Sequence, residues 1–274
     1  MQRKYRILAV VAVLVLIAGG IAVAQRGYGR GRGINPEMVD RGDVPVWKIE
    51  ERFKSDVFTF VRIRYSSGGW GGHKWRIDYP DSDLNFSYRL HELTALEVDP
   101  YGKIIELTDE KLFDYPFIYL IEPGDILLSE DEVVALRRYL YNGGFLMVDD
   151  FWGEREWANF YHDIKRVFPD REPIELPLEH EIFHCVYDLK MKPQIPSIGW
   201  IYHGRTDDGR PDAPEPHYRG IFDDKGRMMA IICHNTDLGD GWEREGEDPR
   251  YFKEFSEKWA YPLGINIVTY AMTH

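Results

Sequence analysis

The sequence contains only two cysteines, Cys185 and Cys233, among its 274 residues. Two thiols can form one disulfide at most, so the fold cannot depend on a framework of several disulfides. One disulfide in an oxidising compartment and two small buried hydrophobic side chains are equally compatible with the pair. The sequence also contains no internal repeat and no G-x-G-x-x-G motif, which excludes a solenoid and gives no support for a phosphate-binding loop.

Positive charge is scarce as well. The formal charge is -12, from 34 Lys and Arg against 46 Asp and Glu. Six of the cations lie near the N-terminus, three within residues 3–6 and three in the Gly/Arg stretch 26–32, so the remainder of the chain carries -18. A surface this acidic repels phosphate groups, and we therefore exclude a nucleic acid partner.

The N-terminus has the pattern of an export signal. A basic start, residues 3–6, precedes an 18-residue apolar run, Ile7–Ala24, that ends in Ala22-Val23-Ala24. This small-x-small ending favours cleavage after Ala24. The alternative is an uncleaved anchor with the Gly/Arg stretch against anionic headgroups, the only membrane contact we expect. Under both interpretations the protein is exported and the rest of the chain is periplasmic or otherwise extracytoplasmic.

The remaining pattern predicts three regions: a signal peptide or anchor at 1–24, a Gly/Arg-rich linker and extension at 25–56, and a single α/β domain at 57–274. Apolar strands alternate with helices, which indicates a mainly parallel sheet with crossover helices. The predicted strands are 58–66, "KIIELTD", "PFIYLIE", "GFLMVDD" and "GRMMAIICHN". We expect the region after about residue 174 to be rich in strands and prolines.

Four helices are predicted between and after these strands. Ser129 and Glu132 form a capping box at the start of the clearest one, which ends at Gly143. An earlier helix has Asp83 as its N-cap, and another covers "EREWANFYHDIKRVF". The C-terminal helix begins after Asp248 and is expected to break or kink at Pro262.

Eight stretches, taken in order, resemble a bacterial family of domains of unknown function, family 4159. They cover about residues 57–274 and read "FVRIRY", "DYPDSDLNFSYRLHELT", "DYPFIYL", "LRRYLYNGGFLMVDDFWG", "HEIFHCVYDL", "RGIFDD", "NTDLGDGWE" and "YPLGINIVTYAMTH". The resemblance implies a relative of class I glutamine amidotransferase-like folds, which are flavodoxin-like three-layer sandwiches with helices on both faces of a parallel sheet. It implies no established reaction.

An amidotransferase of that kind would carry a nucleophilic cysteine on a sharp turn after a central strand. The corresponding turn here reads Asp149-Asp150-Phe151-Trp152-Gly153 and contains neither Cys nor Ser. Glutamine hydrolysis by that route is therefore unsupported. Asp149 and Asp150 are instead candidate site residues, because ligands of open α/β sheets bind beyond the carboxyl ends of strands. We expect one of the two to face a crevice with Trp152 and the other to cap the next helix.

A second candidate site is the loop after the strand "GRMMAIICHN". Its polar residues could coordinate a cation or hydrogen-bond a sugar, although the same residue types also favour turns. They are His234, Asn235, Asp237 and Asp240. Trp70 and Trp75 lie in the Gly/Trp loop before the first helix. They could stack on a carbohydrate ring or a partner protein, or simply pack within the loop.

The stretch "HEIFH" has the spacing of a zinc peptidase motif, with His180, Glu181 and His184. A zinc site of this kind requires a regular helix, but prolines flank the segment and its residues favour strands. We therefore predict a strand and turn in which His180 lines a crevice alone. A metal site gathered from distant histidines is the less favoured alternative, with His180, His184, His203, His217 and His234 as the candidates.

These observations favour a non-catalytic ligand- or partner-binding domain of the cell envelope. A glycan or an envelope protein is the expected partner, and no cofactor is expected. The competing hypothesis is a hydrolase acting on envelope carbohydrate or peptide, with Asp149 or Asp150, His234 and Asp237 as acid, base and metal ligands.

Overall fold

A single seven-stranded sheet organises the computed structural model, which describes residues 39–54, 56–67 and 73–274. The sheet order is β2-β1-β3-β4-β7-β6-β5. Strands β1 to β4 and β7 are parallel, whereas β6 pairs antiparallel with both β7 and the edge strand β5. The predicted α/β class with a mainly parallel sheet is confirmed. The strands are β1 (Val61–Arg64), β2 (Lys103–Glu106), β3 (Phe117–Ile121), β4 (Phe145–Asp149), β5 (Ile174–Glu175), β6 (His217–Phe222) and β7 (Met228–His234).

The helices pack in two groups. They are α1 (Asp81–Leu93), α2 (Glu130–Tyr141), α3 (Gly153–Val167), α4 (Trp200–His203), α5 (Leu238–Glu243), α6 (Pro249–Tyr251) and α7 (Tyr261–Thr273), with a π-helical segment Phe252–Ala260 between the last two. Helices α1, α5 and α7 contact one another, and α2 contacts α3. The predicted capping box of Ser129 and Glu132 is confirmed at the start of α2.

The central strands are buried on both faces, as their apolar sequences predict. In β3, Phe117, Tyr119 and Ile121 belong to the core cluster that includes residues of α1 and α7. Ile118 and Leu120 point to the opposite face and are also buried. The sheet therefore separates two helical layers, and a side chain's position in its strand decides which layer it meets.

Three sequence predictions need correction. Helix α1 begins at Asp81 after Pro80, and Asp83 is not its N-cap because its carboxylate binds Arg62 inside the fold. The predicted strand 58–66 is regular only over β1. Between residues 176 and 216 the chain forms turns and short helices instead of strands, since prolines interrupt it repeatedly.

Pro262 does not break the C-terminal helix. The segment Phe252–Ala260 has π-helical hydrogen bonding, and α7 follows directly from Tyr261. Pro262 therefore occupies the second residue of α7. Proline has no N–H to donate, and Pro262 lies where the π-helical hydrogen bonds end and the α-helical ones begin. The helix therefore tolerates the missing donor.

The N-terminal part of the described chain lies against the domain. Trp47 donates from Nε1 to the Val98 carbonyl at 2.7 Å, and its ring stacks on His91 with centroids 4.5 Å apart. The predicted signal or anchor, residues 1–24, lies outside the described residues. Within the described part, no helix combines the length and apolarity needed to cross a membrane.

Candidate acidic centre

The carboxyl edge of the parallel sheet has an unusual backbone. Strands β3, β4 and β7 are each followed by a residue in the left-handed region: Glu122 with φ 50°, Asp150 with φ 56° and Asn235 with φ 60°. Strands β3 and β4 end at the same level, because Ile121 pairs with Asp149. Left-handed backbone costs free energy for residues other than glycine, so these strand ends are sharp, strained turns.

Asp149, the last residue of β4, is completely buried on the α1 side of the sheet. Its Oδ2 accepts hydrogen bonds from the Tyr119 hydroxyl and from the Gly239 N–H, both at 3.0 Å. Burial raises the pKa of Asp149 to about 7, against the opposing effect of these hydrogen bonds. A fraction of Asp149 is therefore protonated near neutral pH.

Asp150 faces neighbouring carboxylates and does not cap α3. Its Oδ1 accepts from Trp152 Nε1 at 3.0 Å. Burial, followed by the charges of Glu122, Asp78 and Asp149, raises its pKa well above the ordinary value. The N-cap position of α3 is Trp152, without a side-chain cap. The expectation that one aspartate of the pair caps this helix is therefore wrong.

Three further aspartates approach from loops. Asp78 precedes α1, Asp237 follows β7 and Asp240 is in α5; one oxygen of each can be chosen so that all three lie within 4.8 Å of one another. These three residues and the strand-end pair form the acidic centre: Asp78, Asp149, Asp150, Asp237 and Asp240. Each is at most 8% exposed.

The loop aspartates are held by a few hydrogen bonds. Asp237 Oδ1 accepts from the Asp240 N–H at 2.6 Å. Asp240 accepts from the Ile198 N–H at 2.5 Å and from Arg244 Nε at 3.0 Å. By contrast, Asp78 Oδ2 is buried and has no hydrogen-bond donor among the described residues. A buried carboxylate oxygen without a donor is costly unless a proton or a cation satisfies it.

Mutual repulsion is strong across the acidic centre. Burial raises the pKa of Asp78 well above its ordinary value, and the charges of Asp240 and Glu243 add to this effect. Burial also raises the pKa of Asp237, with contributions from Asp150, Asp240, Asp78 and Asp149 in that order. The carboxyls therefore repel one another, and Arg62 and Arg244 offset only part of the upward shift in the pKa of Asp78.

Arg62 positions the loop that carries Asp78. It is completely buried in β1 and donates from Nε to both oxygens of Asp83, at 3.0 and 3.1 Å. Its Nη1 donates to the carbonyls of Trp75 and Ile77, at 3.0 and 2.9 Å. Asp78 follows directly and has a left-handed φ of 63°. The Arg62 guanidinium thus fixes the backbone just before Asp78, and this positions the Asp78 side chain near the other carboxylates.

The arrangement fits a hard divalent cation. Two oxygens bound to one Ca²⁺ ion at about 2.3 to 2.6 Å each can be at most about 5 Å apart. The oxygens of Asp78, Asp237 and Asp240 meet this limit. Carboxylates are also the ligands that Ca²⁺, Mg²⁺ and Mn²⁺ prefer. Such an ion would supply a ligand partner for the Asp78 carboxylate and positive charge beyond that of Arg62 and Arg244.

His234 does not join the acidic centre. It is the last residue of β7, one position after the core residue Cys233, and therefore points to the other face of the sheet. There it lies between the rings of Phe151 and Trp157, with Nε2 3.2 Å from the Gly153 carbonyl. Burial lowers its pKa to about 3, so it is neutral. Among the described residues, His234 shares neither a hydrogen bond nor a metal-ligand group with Asp237.

The other predicted ligand-binding residues are mostly used inside the protein. Asn235 accepts from the Gly153 N–H at 2.8 Å and donates to the Glu215 carbonyl at 2.9 Å. Trp75 is 5% exposed and Trp152 is 4% exposed, so neither presents a ring face to a ligand. Trp70 lies outside the described residues. Of this set, only Asp150 and Asp240 belong to the acidic centre.

The "HEIFH" segment contains one 3-10 turn, Glu181–Phe183, and neither the helix of a zinc peptidase nor the predicted strand. His180 Nδ1 accepts from the Ile182 N–H at 3.2 Å, which caps the turn. Both ring nitrogens of His184 have partners at 2.7 Å, Asp188 and the Leu178 carbonyl. His180 packs near Tyr270 and Phe222. These residues lie toward the amino ends of the parallel strands, away from the acidic centre.

Of the candidate histidines, the structure brings His217 and His234 together, with ring centroids 5.8 Å apart. Among the described residues, the group able to share one metal ion is Asp78, Asp237 and Asp240, without any histidine. His203 accepts from the Arg205 N–H at 3.1 Å, and His217 lies 3.3 Å from Glu175. Cys185 and Cys233 are both free, so the disulfide alternative is not realised.

Fold and site together define an α/β protein with a buried acidic centre at the carboxyl edge of its sheet. The match to a family model extends over residues 59–272, and the chain belongs to that family, described as Domain of unknown function (DUF4159). The resemblance seen in the sequence is thus confirmed at the level of the family. No curated protein matches the chain.

Proposed function

We propose that this chain is an exported binding domain of the cell envelope and that its acidic centre holds one hard divalent cation. The observation that carries the proposal is Asp78 Oδ2, a buried carboxylate oxygen with no donor among the described residues, on a carboxylate that lies within 4.8 Å of those of Asp237 and Asp240. A bound cation would satisfy this oxygen and offset the repulsion among the carboxylates. It would also present open coordination positions to a polar ligand.

Export and fold kinship belong to the same proposal. The apolar run ending at Ala24 and the basic residues before it support export by a cleaved signal or an anchor. The order β2-β1-β3-β4-β7 of the parallel strands corresponds to the flavodoxin-like order, which supports a relation to amidotransferase-like folds. In such sheets ligands bind where the strand order reverses, here between β1 and β3, and the Asp78 loop follows β1.

Isothermal titration calorimetry of the full-length chain with Mn²⁺, Ca²⁺ and Mg²⁺ tests cation binding. We expect one site per chain with a dissociation constant below about 1 mM, in the range of protein Ca²⁺ sites. Because the carboxyls have raised pKa values, binding releases protons, so affinity falls as pH decreases from 8 to 5. The heat should also change with the ionisation enthalpy of the buffer.

Exposed Asp170 gives a matched control for the calorimetry. Its side chain is 70% exposed and outside the acidic centre, so Asp170→Asn should bind the ions as the wild type does. Absence of binding by all three ions at millimolar concentration would contradict the proposed cation site. Binding that is independent of pH would assign the ions to ordinary surface carboxylates instead.

A hydrolase is the second candidate function, and the position of Asp150 favours it. Asp150 occupies the sharp turn after a central strand, where an amidotransferase would carry its nucleophile. A carboxyl beside a bound cation can act as an acid, a base or a nucleophile. This alternative predicts turnover of envelope glycosides, esters or peptides that requires the cation and falls at least about 100-fold in Asp150→Asn. A substrate panel with and without Mn²⁺ measures it, and equal rates for both proteins would remove it.

A further inference from the structure

A large groove is lined in part by Gln194, which belongs to the same short segment as Ile198, whose N–H binds Asp240. Its volume is ≈ 980 Å³, and it runs between the proline-rich region 191–216 and the C-terminal helical region 250–259. The five aspartates of the acidic centre do not line it. The groove is therefore a separate site, and an inference about its ligand does not depend on cation binding.

The charge of this groove is opposite to that of the whole chain. Its lining contains four cations and one carboxylate, whereas the chain carries a formal charge of -12. Three of these cations have acidic partners: Lys192 pairs with Glu175, Arg250 with Asp248 and Lys258 with Glu254, and of these carboxylates only Glu254 lines the groove. Lys253 is exposed and has no acidic partner among the described residues. We call this site the basic groove; its cations are Lys192, Arg250, Lys253 and Lys258.

Aromatic rings accompany the cations. Trp200 and Trp259 are partly exposed, and each therefore presents apolar ring surface to the groove. Trp200 is fixed by an edge contact with Phe255, with centroids 5.0 Å apart, and Lys258 lies 5.2 Å from the centre of the Trp259 ring. Flat apolar surfaces beside positive charges fit a ligand with both ring C–H faces and anionic groups.

The wall of the basic groove offers few backbone donors. Pro193, Pro214 and Pro216 line it, and proline has no N–H to pair with an extended peptide. The Gln194 amide is also engaged, donating to the carbonyls of Ala213 and Asn235 at 2.9 and 3.2 Å. Recognition must rest on charged side chains and ring faces, which favours an anionic sugar chain over a peptide that adds as a strand.

We infer that the basic groove binds an anionic glycan containing uronic acid residues. The sugar carboxylates contact the cations, with Lys253 as the one that is free to pair. A pyranose ring stacks on Trp259. This assigns to the chain a carbohydrate site distinct from the acidic centre and carried by a different part of the fold.

Binding of tetragalacturonate, measured by calorimetry with the full-length chain, tests the inference. We expect binding that weakens steeply with added NaCl, while neutral maltotetraose of similar size does not bind. Trp259→Ala should weaken the binding about tenfold, as expected for the loss of one stacked ring. Lys253→Glu should weaken it by a similar factor or more, because it reverses the charge of an exposed side chain that does not contribute to the core.

Lys225→Glu is the matched control, since Lys225 is exposed and does not line the basic groove. It should bind tetragalacturonate as the wild type does. Three results would overturn the inference: no binding of the tetrasaccharide at millimolar concentration, equal binding of maltotetraose, or unchanged binding by Lys253→Glu in a folded protein. Binding of a poly-glutamate peptide without binding of the sugar would also overturn it and make the groove a peptide site.

Discussion

Replacing Asp78 by asparagine is expected to abolish stabilisation of the protein by divalent cations. At a cation concentration tenfold above the dissociation constant, the wild type should gain about 1.4 kcal/mol in its free energy of unfolding. For a domain of this size that corresponds to an increase in Tm of about 3 to 6 °C. Asp78→Asn removes one charged ligand and should show an increase close to zero, as measured by thermal unfolding with and without Mn²⁺.

The same substitution should act in the opposite direction without the cation. Asn keeps the shape of the side chain but removes a buried negative charge that lies among other carboxylates. The cation-free variant should therefore be at least as stable as the cation-free wild type. Loss of stability on this substitution would show that the carboxylate itself supports the fold.

Asp81→Asn serves as the matched control, because Asp81 is exposed three residues further along the chain. It should retain the cation-dependent increase in Tm. An equal increase in Asp78→Asn and Asp81→Asn would place the bound ion elsewhere on the protein and contradict the assignment of Asp78 as a ligand.

Arg62→Met is expected to cause the largest loss of stability of any single substitution considered for this chain. It leaves the Asp83 carboxylate buried without its cation and removes the donors to the Trp75 and Ile77 carbonyls. Breaking a buried ion pair from one side costs about 3 to 5 kcal/mol. The Tm should fall by about 6 to 20 °C for a domain of this size, as measured by thermal unfolding followed by circular dichroism.

Arg64 provides a stringent control for this prediction. It lies two residues further along β1 and forms an exposed pair with Glu106, with side-chain exposures of 41% and 52%. Arg64→Met should change stability by less than about 1 kcal/mol, because exposed ion pairs contribute little. Similar losses in both variants would mean that the contribution of Arg62 comes from the strand and not from its buried contacts.

Loss of Arg62 should also weaken the cation site. Arg62 binds the carbonyls of Trp75 and Ile77, within three residues before Asp78, so without Arg62 the loop loses the contacts that fix its turn. In Arg62→Met that still folds, we expect weaker Mn²⁺ binding in the calorimetry. Stability and cation binding would then respond to the same buried side chain.

Much of the fold could be predicted from local patterns. The capping box at Ser129 and the apolar run of β4 specify their elements because the signals lie within a few neighbouring residues. The exact helix start at Asp81 could not be predicted, since Asp83 is a good N-cap residue that a distant arginine recruits. Pro262 predicts a break or kink, but the helix continues through it. The π-helical turns before Pro262 have a different hydrogen-bond pattern, so the N–H that proline lacks is not needed there.

The acidic centre could be predicted only in part. Asp149, Asp150, Asp237 and Asp240 follow recognisable strands, and their gathering at one edge of the sheet follows from parallel pairing. Asp78 was missed because β1 and β7 are separated by β3 and β4, and only the long connections after these two strands bring Asp78 within ligand distance of Asp237 and Asp240. Its signal in the sequence is the run of acids in "DYPDSD", where the loop after β1 leads into α1.

His234 and His180 show what local patterns cannot decide. His234 is adjacent in sequence to the polar loop, but its position within β7 turns it to the other face of the sheet. His180 was expected to line a crevice, but the connection that carries it leads to the amino ends of the strands. Both outcomes depend on register and long-range packing rather than on residue type.

The short segment 194–198 has a further consequence. Its Ile195 bonds to Thr236 and Asp237, and its Ile198 bonds to Asp240, while its first residue, Gln194, lines the basic groove. A ligand that restricts the motion of this segment at one site also restricts its motion at the other site. By thermodynamic reciprocity, any factor by which a cation alters glycan affinity must equal the factor by which the glycan alters cation affinity. Five residues of backbone therefore make the two sites candidates for cooperative, rather than independent, occupancy.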